Sequence, residues 1–134
     1  MNRREEREAA FSLIYETAVK KEESPEELFA LACEERGLPE EGYIKTVFFG
    51  YIENLERIDK LISDNSIGWK ENRISKVSFA IMRLCIYEML YMDDIPYSVS
   101  MNEAVELAKK YDHDDAPAYI NGVINAVAEK EGIK

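Results

Sequence analysis

The chain has 134 residues, one third of them charged, with 27 acidic residues against 17 basic ones and a net charge of −10. Neither half is basic: Met1–Ser66 holds 9 basic and 16 acidic residues, and residues 67–134 hold 8 and 11. That balance excludes nucleic-acid binding through a global positive field and leaves only a local basic patch for it. The length implies one domain, 1–134, built as an N-terminal helical group (1–66) and a C-terminal group (67–134) around one core. A chain of this size buries roughly 68% of its unfolded surface and needs no disulfide or metal staple. Met1 is followed by charged residues and not by an apolar run, so no signal peptide is expected. Cys33 and Cys85 lie far apart among apolar helix positions and read as packed free thiols of a reducing, cytoplasmic compartment.

Asn2-Arg3-Arg4-Glu5 opens the chain with the pattern of a capping box. The helix behind it keeps Ala10, Phe11, Ile14 and Ala18 on one stripe, and Arg3, Arg4 and Arg7 share a neighbouring face. Those arginines read either as a solvated first turn with local ion pairs, Glu8 lying four residues after Arg4, or as a phosphate-contacting patch. After a polar link, Ser24-Pro25-Glu26-Glu27 carries an N-cap Ser, Pro at the first helical position and acids in the first turn. Leu28, Phe29, Leu31 and Ala32 give this helix its inner face, and Gly37 ends it. Eight acids against the single Arg36 between Glu22 and Glu41 mark a solvated side, the one least suited to RNA.

Pro39 restarts the chain into one long amphipathic helix, with Ile44, Val47, Tyr51, Leu55, Ile58 and Ile62 recurring at steps of three and four. Asp64-Asn65-Ser66 and Gly68 break it, and Trp69 is expected to plug the join between the two helical groups. Ile74 to Met92 is the organising element. Ile74, Val77, Ile81, Leu84 and Tyr91 form one apolar face, and apolar residues cover nearly all the rest, so other helices must surround it. Its length would suit a membrane span, but Lys76, Arg83, Glu88 and the flanking Asp93-Asp94 argue against one. Arg83 and Glu88 each need a partner or a route to water.

Ile95-Pro96 starts the next helix, near Pro96 to Tyr111, which is expected to bury Val99, Met101, Ala104, Val105 and Ala108, with Asn102 as an internal hydrogen-bond bridge. Asp114 or Asp115 caps a last helix begun by Ala116-Pro117, whose stripe is Ile120, Val123, Ile124 and Val127. Gly122 inside it suggests close approach of another helix. The fold class is all-α, with about six to seven helices. One His and two packed Cys cannot build a zinc cluster, and His113 among aspartates is explained by a cap and a solvated turn. No phosphate-cradling Gly-rich loop, nucleophile elbow or paired-Cys redox motif is present, so the chain reads as a binding module and not an enzyme.

Five segments then carry a resemblance in order and spacing. They are Arg3-Arg4 with Arg7-Glu8, Arg83-x-x-x-Tyr87-Glu88, Ile95-Pro96-Tyr97-x-Val99, the run Asn102 to Lys109, and Tyr119-Ile120-Asn121-Gly122-Val123-Ile124. Together they resemble the NusB family over nearly the full chain, most strongly from Ile74 to Val127. The resemblance implies an all-helical fold of two small bundles packed across each other. It also implies a transcription antitermination factor that binds the single-stranded boxA element of ribosomal RNA leaders together with NusE, a small-subunit ribosomal protein. The pair would join elongating RNA polymerase with other Nus factors, with no cofactor, no metal, no catalysis and no membrane.

By the same resemblance the RNA-binding residues are Arg3, Arg4 and Arg7 of the N-terminal run, Tyr15 on the first helix, and Asp115 and Tyr119 at the start of the last. Such a set suits single-stranded RNA, which is held by cations on its backbone and aromatic faces on its unstacked bases. Glu5 and Glu6 dilute an arginine run that is denser in some members, which implies greater dependence on NusE. The family includes monomers and dimers, and a homodimer would cover the RNA face. Two alternatives remain at this point. One is a NusB-like module of ribosomal RNA maturation, of the sort fused to cytosine methyltransferases, although no catalytic domain follows Lys134. The other is an acidic helical adaptor that binds only protein.

Overall fold

The computed structural model describes residues 1–66, 68 and 74–134, and every described element is helical. The seven helices among them are α1 (Arg3–Val19), α2 (Pro25–Arg36), α3 (Tyr43–Glu53), α4 (Leu55–Asp64), α5 (Lys76–Tyr91), α6 (Tyr97–Tyr111) and α7 (Ala116–Lys130). The all-α expectation holds. No described helix is long and apolar enough to cross a membrane.

Local chemistry sets most boundaries. At the start of α1, Asn2 Oδ1 accepts the Glu5 backbone N–H at 2.8 Å, and Glu5 Oε1 accepts the Asn2 N–H at 2.9 Å. The capping box thus satisfies two of the donors that a helix start leaves open. Ser24 caps α2 through Glu27 N–H at 3.1 Å, and Gly37 closes that helix at φ 65°, a left-handed conformation that glycine adopts without strain. Ser75 caps α5 through Ser78 N–H at 2.9 Å.

The long helix read from Pro39 onward is two helices. The chain breaks at Asn54, where φ −112° and ψ 20° leave the helical register and the side-chain amide donates to the Gly50 carbonyl at 2.8 Å. An Asn amide that bonds the preceding turn offers the backbone an alternative to helix propagation. The break turns α4 relative to α3: Ile44, Val47, Tyr51, Ile58 and Ile62 are buried, but Leu55 is exposed. Leu31, Val99 and Tyr91, also read as inward-facing, lie exposed at the rims of their helices. Asn102 and Gly122 are exposed too, at positions read as an internal bridge and a close helix approach. The close approach falls at Gly50, where an added Cβ would overlap the Tyr87 ring.

The central position of α5 is as expected. It packs against α1, α3, α4, α6 and α7, and Ala80, Ile81, Met82 and Ile86 are wholly removed from solvent. One apolar cluster runs through the molecule from Ala9 to Ala128 and takes in both helical groups. Trp69, the expected plug at their join, lies outside the described residues.

Arg83 and Glu88, the charges in the body of α5, find partners. Arg83 forms a two-point pair with Asp59 of α4, at 2.9 and 3.3 Å, and Asp59 also accepts from the Tyr51 hydroxyl. Glu88 is 1% exposed and gathers donors from three other helices: Arg7 of α1 at 2.8 and 3.3 Å, the Tyr43 hydroxyl of α3, and Ser100 Oγ of α6 at 2.7 Å. A buried carboxylate is tolerated only when it is paired and hydrogen-bonded in this way. Glu88 is therefore a knot that ties α1, α3 and α6 to α5.

Candidate nucleic-acid interface

The expected RNA-binding residues do not share one surface in the same manner. Arg3 and Arg4 project from the first turn of α1 into solvent, with side chains 46% and 63% exposed. Arg3 pairs with Glu6 at 3.2 Å and lies 4.4 Å from the centre of the Tyr43 ring. Arg4 forms a two-point bond with Glu103 of α6, at 3.2 and 2.9 Å. Hydrogen bonding to Glu103 and its charge raise the pKa of Arg4 further above its already high ordinary value.

Arg7 corrects the reading of a common arginine face. It is 6% exposed and turned inward, onto Glu88. Burial alone would lower its pKa, but the Glu88 hydrogen bond and charge outweigh that cost and the net shift is upward. A signal for this was present in the sequence, because Arg7 stands three and four residues before Ala10 and Phe11 and so on the apolar stripe itself.

Tyr15 is half-buried and lines a cleft of about 490 Å³ with Phe11, Tyr111, Val77 and Arg36. The cleft joins aromatic walls to Arg36 of α2 and to the carboxylates of Glu5 and Glu8 of α1, a combination the sequence did not announce. Asp115 is exposed at the N-cap position of α7, but its backbone is helical there and its side chain makes no capping bond. Tyr119, read as a contact on the same segment, is 6% exposed. Its ring sits one residue before the buried Ile120 and one turn before Val123, which draws it into the core. Burial raises its pKa, and its hydroxyl engages the Ser66 side chain.

Two lysines that the sequence reading did not assign to the interface lie beside this surface. Lys110, in the last turn of α6, reaches Glu8 of α1 at 2.6 Å, and Lys109 reaches Glu106 at 3.4 Å. With Arg4 they line a groove of about 330 Å³ between α1 and α6. Just beyond that turn, Asp112 accepts hydrogen bonds from Ser75 at 3.1 Å and from Ser78, fixing the loop before α7 to the start of α5.

A helical domain tied at its centre by the Glu88 knot, with arginines and lysines paired to carboxylates along α1 and α6, is a small all-α module. The chain belongs to the NusB family, whose model matches residues 4–129. It is 43% identical over 130 residues to the transcription antitermination protein NusB of Ruminiclostridium cellulolyticum, covering 96% of this chain and 90% of that one. The T. maritima NusB structure superposes with a TM-score of 0.82 at 31% identity, covering 97% of this chain and 92% of its own. A structure of the antitermination factors NusB and NusE in complex with double-stranded RNA gives a TM-score of 0.81 at 25% identity, over 97% and 99% of the two chains.

Proposed function

We propose that this protein is a transcription antitermination factor that binds boxA-type single-stranded RNA of ribosomal RNA leaders together with the ribosomal protein NusE. It acts in the cytoplasm, on RNA polymerase elongation complexes with other Nus factors, as a binding protein without catalysis. The observation that carries this reading is the family match across nearly the whole chain. The relative in complex with NusE and RNA supports the choice of partners.

At the level of residues, Arg3 and Arg4 supply phosphate contacts, because a planar guanidinium can bond two oxygens at once and both side chains reach solvent. Tyr15 offers a ring edge to an unstacked base from the wall of its cleft, and exposed Asp115 accepts from base or sugar donors at the start of α7. Arg7 and Tyr119 act from behind this surface: Arg7 fixes α1 on Glu88, and Tyr119 fixes the first turn of α7 against the core.

A titration with boxA-type RNA and a scrambled control, with and without NusE, tests the reading. Tighter binding of boxA RNA than of the control, strengthened by NusE, is the expected result. By linkage, RNA must tighten NusE binding by the same factor as NusE tightens RNA binding. Equal affinity for both RNAs at saturating NusE overturns the reading, and NusE binding without any RNA binding replaces it with the protein-only adaptor.

A further inference from the structure

We propose that Asp112, clasped by Ser75 and Ser78, is a positioning residue for RNA binding: it ties the loop between α6 and α7 to the first turn of the central helix and so sets where Asp115 is presented, without itself touching RNA. The inference rests on the RNA-binding reading above and gives a role to groups which that reading leaves unused.

Asp112 is the residue at which the chain leaves α6. Its backbone is extended, at φ −122° and ψ −177°, and its N–H closes the helix on the Ala108 carbonyl at 2.9 Å. The half-buried carboxylate is held by two hydroxyls from the start of α5. Ser75 Oγ accepts the Ser78 N–H at 2.9 Å as the cap of α5 and donates to Asp112 Oδ1 at 3.1 Å. Ser78, 1% exposed, donates its hydroxyl proton to Oδ2. Oδ1 also accepts the His113 N–H at 2.8 Å, so the same carboxylate turns the first peptide of the loop. A negative group is favoured there by the open N–H groups and the dipole of the α5 N-terminus. An ionised carboxylate can only accept hydrogen bonds, and it repels phosphate, so Asp112 is suited to placing the loop and not to meeting RNA.

The other end of the loop is anchored separately. Tyr119 is buried and engages Ser66, whose own hydroxyl donates to the Ile62 carbonyl at 2.6 Å. Between these anchors His113, Asp114 and Asp115 are all exposed, with the Ala116 N–H on the His113 carbonyl at 3.0 Å as the bond inside the turn. Asp115 makes no capping bond of its own, so its place depends on the backbone on either side. Release of the Asp112 anchor frees it, because a loop with few buried contacts opens at small cost.

The test is a set of anisotropy titrations on the full-length protein, well below its melting temperature, with labelled boxA-type single-stranded RNA at saturating NusE. Asp112→Asn removes a negative charge from a chain of net charge −10, which by electrostatics alone would tighten RNA binding. The clasp requires the opposite sign. Binding is expected to weaken by roughly ten-fold, the worth of one hydrogen bond that Asp115 no longer makes, with the salt slope unchanged because no cation is lost. Ser78→Ala opens the same clasp from α5 and is expected to act in the same direction. Asp115→Ala is expected to weaken binding by a similar factor in the wild-type protein and to cost nothing further in Asp112→Asn, the non-additivity of one residue acting through another. Unchanged or tighter binding by Asp112→Asn, or wild-type affinity in Ser78→Ala, makes the clasp a matter of stability alone and overturns the proposal. Additive losses from Asp112→Asn and Asp115→Ala overturn it as well, since Asp112 would then act by a route that bypasses Asp115. If Asp115→Ala has no effect in the wild-type protein, the clasp has nothing to place: this inference falls and the functional reading stands. Equal affinity of the wild-type protein for boxA and scrambled RNA overturns both.

Discussion

Arg4 and Arg7 stand three residues apart on the same helix, each bonded at two points to a glutamate from a distant part of the chain, and they do opposite work. Arg7 meets Glu88 at 2.8 and 3.3 Å inside the protein, with Tyr43 and Ser100 completing the carboxylate's partners. Arg4 meets Glu103 at similar distances, 3.2 and 2.9 Å, but at the surface, with the Arg4 side chain 63% and the Glu103 side chain 15% exposed. Water decides the difference. Inside, the loss of either partner strands a charge that cannot be hydrated, so the pair is fixed. Outside, water or another anion substitutes readily, so the pair is exchangeable. Similar two-point pairing therefore makes a structural fastener at one position and a candidate binding group one turn away.

The contrast is open to attack at several points. Arg7→Ala should cost about 3–5 kcal/mol in a denaturant melt, the penalty for an uncompensated buried carboxylate. A loss near zero would place Glu88 in contact with water and abolish the distinction. Leu84→Ala, one turn before Glu88 and 2% exposed, calibrates the apolar part of the same helix and should cost about 2–5 kcal/mol. A loss below about half a kcal/mol would remove α5 from the centre of the fold. Alkaline pH loosens the knot more gradually. Burial first, then the charge and hydrogen bond of Glu88, raise the Tyr43 pKa well above its ordinary value of about 10. A raised folded-state pKa means that this contribution is complete below about pH 10 and is lost as pH climbs beyond it. The melting temperature should therefore fall above about pH 10, and less steeply in Tyr43→Phe. An identical fall in both proteins would assign the alkaline loss to other groups. The smallest effect on stability belongs to Arg4→Ala, whose melt should match the wild type while its RNA salt slope drops by roughly 0.7. Any marked thermal loss there would make Arg4 a second fastener.

The parts legible in the sequence were those settled by near neighbours. Asn2 and Glu5, and Ser24 and Glu27, act within one helical turn, and a local pattern suffices to read them. The all-round apolar character of α5 likewise announced its central place. The break at Asn54 escaped because the apolar period runs across it unaltered, while a single side-chain amide stops the helix. Arg7 escaped because its partner lies 81 residues away, and beside Arg3 and Arg4 it reads as surface charge. Half the answer was read, that Glu88 needed a partner; the other half, that Arg7 falls on the stripe of Phe11 and Ile14, was passed over when it was grouped with Arg3 and Arg4 on the neighbouring face. Lys109 and Lys110 passed without notice for a different reason, since two lysines at a helix end are ordinary in sequence and come to line a groove only when α1 is laid beside them.

The crossing of α3 over α5 carries a consequence for how this sequence can change. Gly50 has no side chain, and the Tyr87 ring fills the space a Cβ would need. Substitution at either position is therefore judged by the residue at the other. A larger residue at 50 is admissible only after position 87 has become smaller, and a smaller residue at 87 leaves a void unless position 50 has grown. Chains that keep this crossing should travel between the two solutions as a correlated pair, with the intermediate steps selected against.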